Sequence, residues 1–202
     1  MNRVVCKDQQ DWVNRINFWL SERRPQSKNW KLFIPAGETP RPLYRSWQES
    51  PPEFLKDCEL LQIDDVISGS KKNIFKIFFE NELPKFKSQL HFIDSASQCA
   101  DVAMLGLGVN GHVAFHEPFL PENFFSGCLR LESETAARLG VESGSQVVTY
   151  GVGAFLKAKS VALIVRGVAK RPILQKVLAD NCQLPAAFLK KHPDLTVFTD
   201  FD

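Results

Sequence analysis

Residues 102–118 read "VAMLGLGVNGHVAFHEP". The run opens with four apolar side chains and no polar alternation. An apolar segment of strand length that never alternates has both faces buried, which is the pattern of a parallel sheet covered by helices on each side. The run then empties into Gly106, Gly108 and Gly111, with His112 directly behind and Glu117 five residues on. In open parallel sheets, ligands sit at the carboxyl ends of strands. Glycines at such an exit let backbone approach a ligand or take positive φ.

The same pattern recurs on both sides of this stretch. "KLFIP" (31–35), "CELLQI" (58–63), "VALIV" (161–165) and "LTVFTDF" (195–201) are further strand-like runs. Helix-compatible segments separate them. Trp12, Ile16, Phe18, Trp19 and Leu20 mark an opening amphipathic helix, and "RPLYRSWQES" (41–50) is a second. "NIFKIFFENEL" (73–83) carries Ile74, Phe75, Phe78, Phe79 and Leu83 on one side, and "KRPILQKVLAD" (170–180) follows the fourth run. The alternation predicts an α/β fold: three αβα layers around a mostly parallel, Rossmann-like sheet with helices on both faces. With 202 residues, one domain spanning 1–202 can bury an adequate core.

Composition removes several classes of function. A formal net charge of +2 supplies no basic field for nucleic acid. The longest apolar runs are far below the roughly 20 residues of a membrane span, and the N-terminus lacks the apolar stretch of a secretory signal. Five scattered cysteines without a CxxC pair predict reduced thiols, a cytoplasmic setting and no metal site. No cofactor motif stands out: Gly106, Gly108 and Gly111 satisfy GxGxxG, but "HVAFHEP" is a poor helix opening and Pro118 ends it early. A monomer or small homo-oligomer is expected.

Three strand exits carry polar groups. "PAGETP" (35–40) leads through Gly37, Glu38 and Thr39 into a helix whose free amides and dipole favour an anion. The same residues would also serve an ordinary strand-to-helix turn with Pro40 at its start, and Glu38 repels a phosphate unless it points away. Asp64 and Asp65 end the second run. They read either as caps of a turn or as a general base with a supporting neighbour, since burial and like charge raise a carboxyl pKa towards a useful range. In an extended strand the two point oppositely, so one faces the site. His112 can shuttle a proton near neutrality, and Glu117 can orient it; a hydrogen-bonded histidine in a glycine-rich strand exit is the plainer alternative.

"LGLGVNGHVAFHEP" (105–118) resembles the signature GxGxDGHxxFNEP of the glucosamine-6-phosphate deaminase/isomerase family. "PAGETP" resembles that family's phosphate loop PTGGTP, "IDDVISG" (63–69) its MDEYVG, and "YGVGAFLKAKSVALIVRGVAK" (150–170) the stretch ending in its phosphate-binding lysine. The resemblance implies an enzyme converting a hexosamine 6-phosphate to a ketose 6-phosphate with release of ammonium. It makes Asp64 the base between C2 and C1, with His112 assisting ring opening while Glu117 and Asn110 attend it. Gly37, Glu38, Thr39, Asp65, Gly108, Gly111 and Lys170 contact substrate in that reading. No metal or cofactor is implied.

Three positions depart from the family pattern. Asn110 stands where most members have aspartate, Glu38 where they have glycine, and Ala136 where a phosphate-contacting arginine is expected, with Arg138 nearby. Asn110 and the "LPAAFLKKHPDL" ending (184–195) point to a galactosamine-6-phosphate branch. The chain is also shorter than typical members between Leu90 and Ala103 and at the C-terminus, so the allosteric apparatus of hexameric members is not expected. Two alternatives remain. The related 6-phosphogluconolactonases (hydrolases) share a similar motif but generally lack the glutamate matched by Glu117. A catalytically impaired sugar-phosphate binding module would also explain the three departures.

Overall fold

The apolar runs form the strands of a central sheet. The computed structural model describes residues 1–94 and 98–202. In chain order its elements are β1 (Asn2–Val5), α1 (Gln9–Arg23), β2 (Trp30–Ile34), α2 (Arg41–Glu49), β3 (Cys58–Gln62), β4 (Asp64–Val66), α3 (Ile74–Glu82) and β5 (Leu90–His91). They continue with β6 (Val102–Gly106), β7 (Ser126–Arg130), α4 (Ser133–Leu139), β8 (Gln146–Tyr150), α5 (Val152–Phe155), β9 (Ser160–Val165), α6 (Arg171–Leu178), α7 (Pro185–Phe188) and β10 (Leu195–Thr199).

Seven strands pair in the order β1-β10-β9-β6-β2-β3-β5, each neighbouring pair parallel. Side chains alternate between two cores, as a pleat requires. Leu32, Met104 and Ile164 face one layer with Trp12, Ile16, Leu43 and Trp47 of α1 and α2. Phe33, Leu105 and Leu163 face the other with Phe155, Leu174 and Ala186 of α5, α6 and α7. This is the predicted three-layer fold. From β2 the chain builds outward to β3 and β5, then returns to lay β6 on the other side of β2. The switch point between β2 and β6 opens a crevice at the carboxyl ends.

A feature that the apolar runs do not announce is a second, three-stranded antiparallel sheet, β4-β8-β7. It has its own small core of Val66, Phe115, Leu131, Ala136 and Val147. Asp64 and Asp65 therefore do not merely end β3; they begin a strand of this other sheet. Of the shortened stretch between Leu90 and Ala103, residues 95–97 lie outside the described residues, and residues 92–94 and 98–101 form no helix.

The helix α5 is packed too closely for any side chain at Gly153. A Cβ there would lie 2.4 Å from the Asn123 carbonyl oxygen and 2.9 Å from that of Phe124, both backbone atoms. Gly153→Ala is expected to cost about 2 kcal/mol by overpacking. That corresponds to a fall in Tm of roughly 4–8 °C for a chain of this size. An unchanged melting temperature would contradict this packing.

Candidate active site

Four strand exits line one cavity of about 550 Å³. The loop 35–40 follows β2, Asp64 follows β3, Gly106–Gly108 and His112 follow β6, and Lys170 precedes α6. Phe75 of α3 and Arg138 of α4 complete the walls.

The small sheet brings Asp64 to this cavity. Asp64 pairs with Thr149 in the β4–β8 register. The fully buried Thr149 hydroxyl accepts the Phe115 N–H at 3.1 Å and donates to the Tyr150 carbonyl at 2.7 Å. One residue pair thus ties the acid-bearing strand to the histidine loop. The Asp64 carboxyl is buried and accepts no hydrogen bond from the described residues. Burial, reinforced by the charge of Asp65, pushes its pKa up to about 8.

Asp65 is turned the other way and corrects one expectation. Its two carboxylate oxygens accept from Gln62 Nε2 (2.9 Å) and from the N–H groups of Val66 (2.8 Å), Phe75 (3.0 Å) and Lys76 (2.9 Å). The residue preceding α3, Asn73, makes no capping bond. Asp65 supplies that cap from across the chain, satisfying amides that the helix leaves open. Expected to touch substrate, it instead fixes α3 and Phe75 and lies outside the cavity wall.

The histidine loop is tightly folded. Gly108 N–H donates to the His112 carbonyl at 2.9 Å, and Gly111 N–H donates to the Gly108 carbonyl at 3.0 Å. Gly111 has φ +85°, and a Cβ there would meet Leu184 at 2.6 Å. Its glycine is demanded by the fit against α7, so it too stands outside the cavity, contrary to expectation. Gly108 does line the cavity. His112 Nε2 lies 3.3 Å from Glu117 Oε2, with side chains only 6% and 1% exposed, and Asn110 Nδ2 lies 3.1 Å from His112 Nδ1. Neither Glu117 nor Asn110 lines the cavity; both contact His112, the Asn110 amide nitrogen lying also 3.4 Å from Nε2. Burial pushes the His112 pKa down to about 4, helped by His116 and Arg138, and burial raises that of Glu117.

The remaining wall suits an anion. The N–H groups of Gly37, Glu38 and Thr39 and the Thr39 hydroxyl make no hydrogen bond to the described residues. Gly37 has φ +109° with open space where a Cβ would stand. The Glu38 side chain is 83% exposed and pairs with Arg41 at 3.0 Å, so its charge is partly balanced by the guanidinium. Lys170 Nζ donates to the Leu107 carbonyl at 2.6 Å and has no acidic partner among the described residues. Burial first, then nearby Arg138, lowers its pKa. Arg138 is the wall residue that sequence reasoning left unassigned. Ala136 is buried in the small core, and two residues along a helix turn the side chain by about 200°. Position 138 therefore faces the cavity when 136 faces the core. Among the described residues, no cluster of three or more His, Cys, Asp or Glu is placed to hold a metal ion, and no helix is long and apolar enough to cross a membrane.

The comparisons agree with this geometry. Residues 68–198 match the profile of the family described as glucosamine-6-phosphate isomerases/6-phosphogluconolactonase. A glucosamine-6-phosphate deaminase of Shouchella clausii is 25% identical over 235 aligned positions, covering 99% of this chain and 95% of the relative. One from Bacillus cereus is 33% identical over 131 residues, a match spanning 60% of this chain and about half (47%) of the relative. Among solved structures, a monomeric glucosamine-6-phosphate deaminase of the NagB superfamily superposes with a TM-score of 0.80 at 19% identity, covering 98% of this chain and 97% of that one. The 6-phosphogluconolactonase of Thermotoga maritima superposes with a TM-score of 0.74 at 18% identity, covering 98% of each chain.

Proposed function

The chain belongs to the family of glucosamine-6-phosphate isomerases and 6-phosphogluconolactonases, and from that premise we propose that it is an amino sugar 6-phosphate deaminase/isomerase. The observation that carries this reading is one cavity lined by Asp64, whose carboxyl accepts no hydrogen bond from the described residues, and by Lys170 and Arg138. Lys170 Nζ reaches the end of β6, and Asp64 follows β3, two strands away. Two strand spacings are about 10 Å, the scale of a six-carbon phosphate ester. A hexosamine 6-phosphate is an ammonium joined to a dianion, and it complements both ends.

The Asp64 carboxylate takes the C2 proton of the open-chain sugar as the C1 carbonyl oxygen is protonated, then returns that proton to C1. The C2 amine becomes an iminium, water adds, and ammonium leaves with the ketose phosphate. His112, backed by Glu117, serves the preceding ring opening. Lys170, Arg138, Thr39 and the loop amides at Gly37 and Glu38 hold the phosphate, and that grip keeps C2 against the base. Gly108 lines the cavity, and its missing side chain leaves room for Asn110 and His112. The unit is one sugar-phosphate-processing domain, working as a monomer or small homo-oligomer. Five unpaired cysteines support a reducing, cytoplasmic setting.

The test is ammonium release from glucosamine 6-phosphate and galactosamine 6-phosphate, run beside hydrolysis of 6-phosphogluconolactone. Ammonium with either hexosamine phosphate is the expected result. The deaminases named above are glucosamine-6-phosphate deaminases; the galactosamine branch rests on Asn110 and the "LPAAFLKKHPDL" ending, so activity confined to that epimer is its signature. Lactone hydrolysis alone would transfer the protein to the other half of its family. Thermal stabilisation by both sugars without product would make it a binding module.

A further inference from the structure

The histidine loop holds a second imidazole, His116, which is fully buried and stands outside the cavity wall. Its Nδ1 accepts the Val152 N–H at 3.0 Å. A backbone N–H only donates, so Nδ1 carries a lone pair and the single ring proton sits on Nε2. Nε2 is buried and completes no hydrogen bond among the described residues. Burial lowers the pKa of the ring, and the Leu120 carbonyl opposes that shift. Val152 opens α5, and Gly151 before it has no side chain to cap the helix. His116 satisfies that open amide from 36 residues away. A capping residue could not replace Gly151, because a Cβ there would lie 2.9 Å from His116 Nδ1. Phe124 meets the ring edge-on, with centroids 5.9 Å apart.

The chain just ahead of His116 is held in an unusual shape. Ala114 lines the cavity and has φ +50°, a conformation uncommon for a residue with a Cβ. The His116 N–H closes this turn on the Val113 carbonyl at 3.2 Å. Such backbone persists only where its surroundings hold it. Two bonds to the β8–α5 segment do so: Phe115 N–H to the Thr149 hydroxyl, and His116 to Val152. Glu117 follows directly and reaches back to His112 at 3.3 Å. We infer that His116 is a positioning residue: by accepting the Val152 N–H it anchors the turn 113–116 and so sets Glu117 and His112 relative to the cavity. Its catalytic consequence rests on the activity proposed above. The family signature GxGxDGHxxFNEP carries asparagine where this chain has His116. An asparagine Oδ1 is as many bonds from the backbone as a histidine Nδ1, and it accepts as well. The position therefore calls for an acceptor at that atom, not for a titrating ring.

Two substitutions of nearly equal shape isolate the bond: His116→Asn keeps the acceptor and His116→Leu removes it. Ring NMR of isotope-labelled wild type should show His116 bare at Nδ1 and protonated at Nε2 at neutral pH. Four histidines are present, and comparison with His116→Asn identifies the signal. Exchange of the Val152 amide hydrogen should be slow in the wild type and in His116→Asn and faster in His116→Leu. In ammonium release, His116→Leu should lose about 10–100-fold in kcat, the scale of a small misplacement of the working groups, with KM near the wild-type value. His116→Asn should recover most of that loss. Should leucine prevent folding, His116→Gln takes its place: its carbonyl lies one bond further out, and it should behave as leucine does. A proton on Nδ1 in the wild type, or equal kcat in the variants with and without the acceptor, would overturn the inference. A wild type that releases no ammonium, with the expected spectrum and exchange, would count against the proposed function and leave the anchoring bond in place.

Discussion

Asp64→Asn lowers turnover by about 10²–10⁴-fold, the range a positioned general base supplies, while sugar-phosphate binding stays near the wild-type level. The substitution keeps shape and removes only the capacity to take a proton. Single-turnover rates with hexosamine 6-phosphate, together with thermal shift by the same compound, separate the two effects. Lost binding with normal turnover at saturation would remove Asp64 from the chemistry. The same variant should be the more stable protein on the alkaline side. The folded pKa of Asp64 is raised from 3.8 to about 8, so the unfolded chain releases this proton first as pH rises. Wild-type stability is therefore lost progressively between pH 3.8 and about 8, whereas asparagine does not titrate. The Tm advantage of Asp64→Asn should grow across that window, and a constant difference would contradict the burial argument. The kcat/KM of the wild type should rise with pH towards about 8, because the base form is the working one. A substrate ammonium beside the carboxyl moves the kcat profile to lower pH.

Lys170→Met is expected to raise KM by about 10–100-fold, the loss of a charge-assisted contact worth about 1.5–3 kcal/mol. Its kcat should fall less, because in the proposed reaction the lysine would grip a part of the substrate remote from the reacting carbons. Methionine keeps the apolar stem of a half-buried side chain and drops the charge. In the free protein the stability change should be small, since losing the bond to the Leu107 carbonyl is offset by removing an ammonium that burial disfavours. Arg138→Ala should act in the same direction and by a similar factor. The two effects should be less than additive if both cations hold one phosphate. A KM unchanged in both variants would refute the anion assignment of this wall.

The large sheet was legible because its strands are buried on both faces. "VAMLG" and "VALIV" carry no polar residue, so their burial is written in composition alone. The small sheet was not, for the converse reason. "SGCLR" of β7 is half-exposed and mixed, and β4 is three residues long, two of them aspartates. β1, with "NRVV", joins the edge of the large sheet through backbone bonds to β10 while its side chains remain largely exposed. Within the site, sequence identified the residue types but not their directions. Alternation along a strand separates Asp64 from Asp65, yet only the fold reveals that the second is consumed in capping α3. Glu38 looked hostile to phosphate until its pairing with Arg41 was visible. Arg138 required the phase of α4, which depends on which side chain of that helix meets the small core.

Asp64 belongs to the small sheet, whereas Lys170 and the 35–40 loop follow strands of the large one, and the two sheets bury separate cores. In the proposed reading the base therefore rests on the small sheet, and the grip is shared between the large sheet, through Lys170 and the 35–40 loop, and α4 of the small core, through Arg138. A lineage could retune how the carbon skeleton is attacked by altering β4 while keeping the part of the ester's anchorage that the large sheet supplies. Such a division offers a physical route by which one scaffold comes to serve several reactions on phosphorylated sugars.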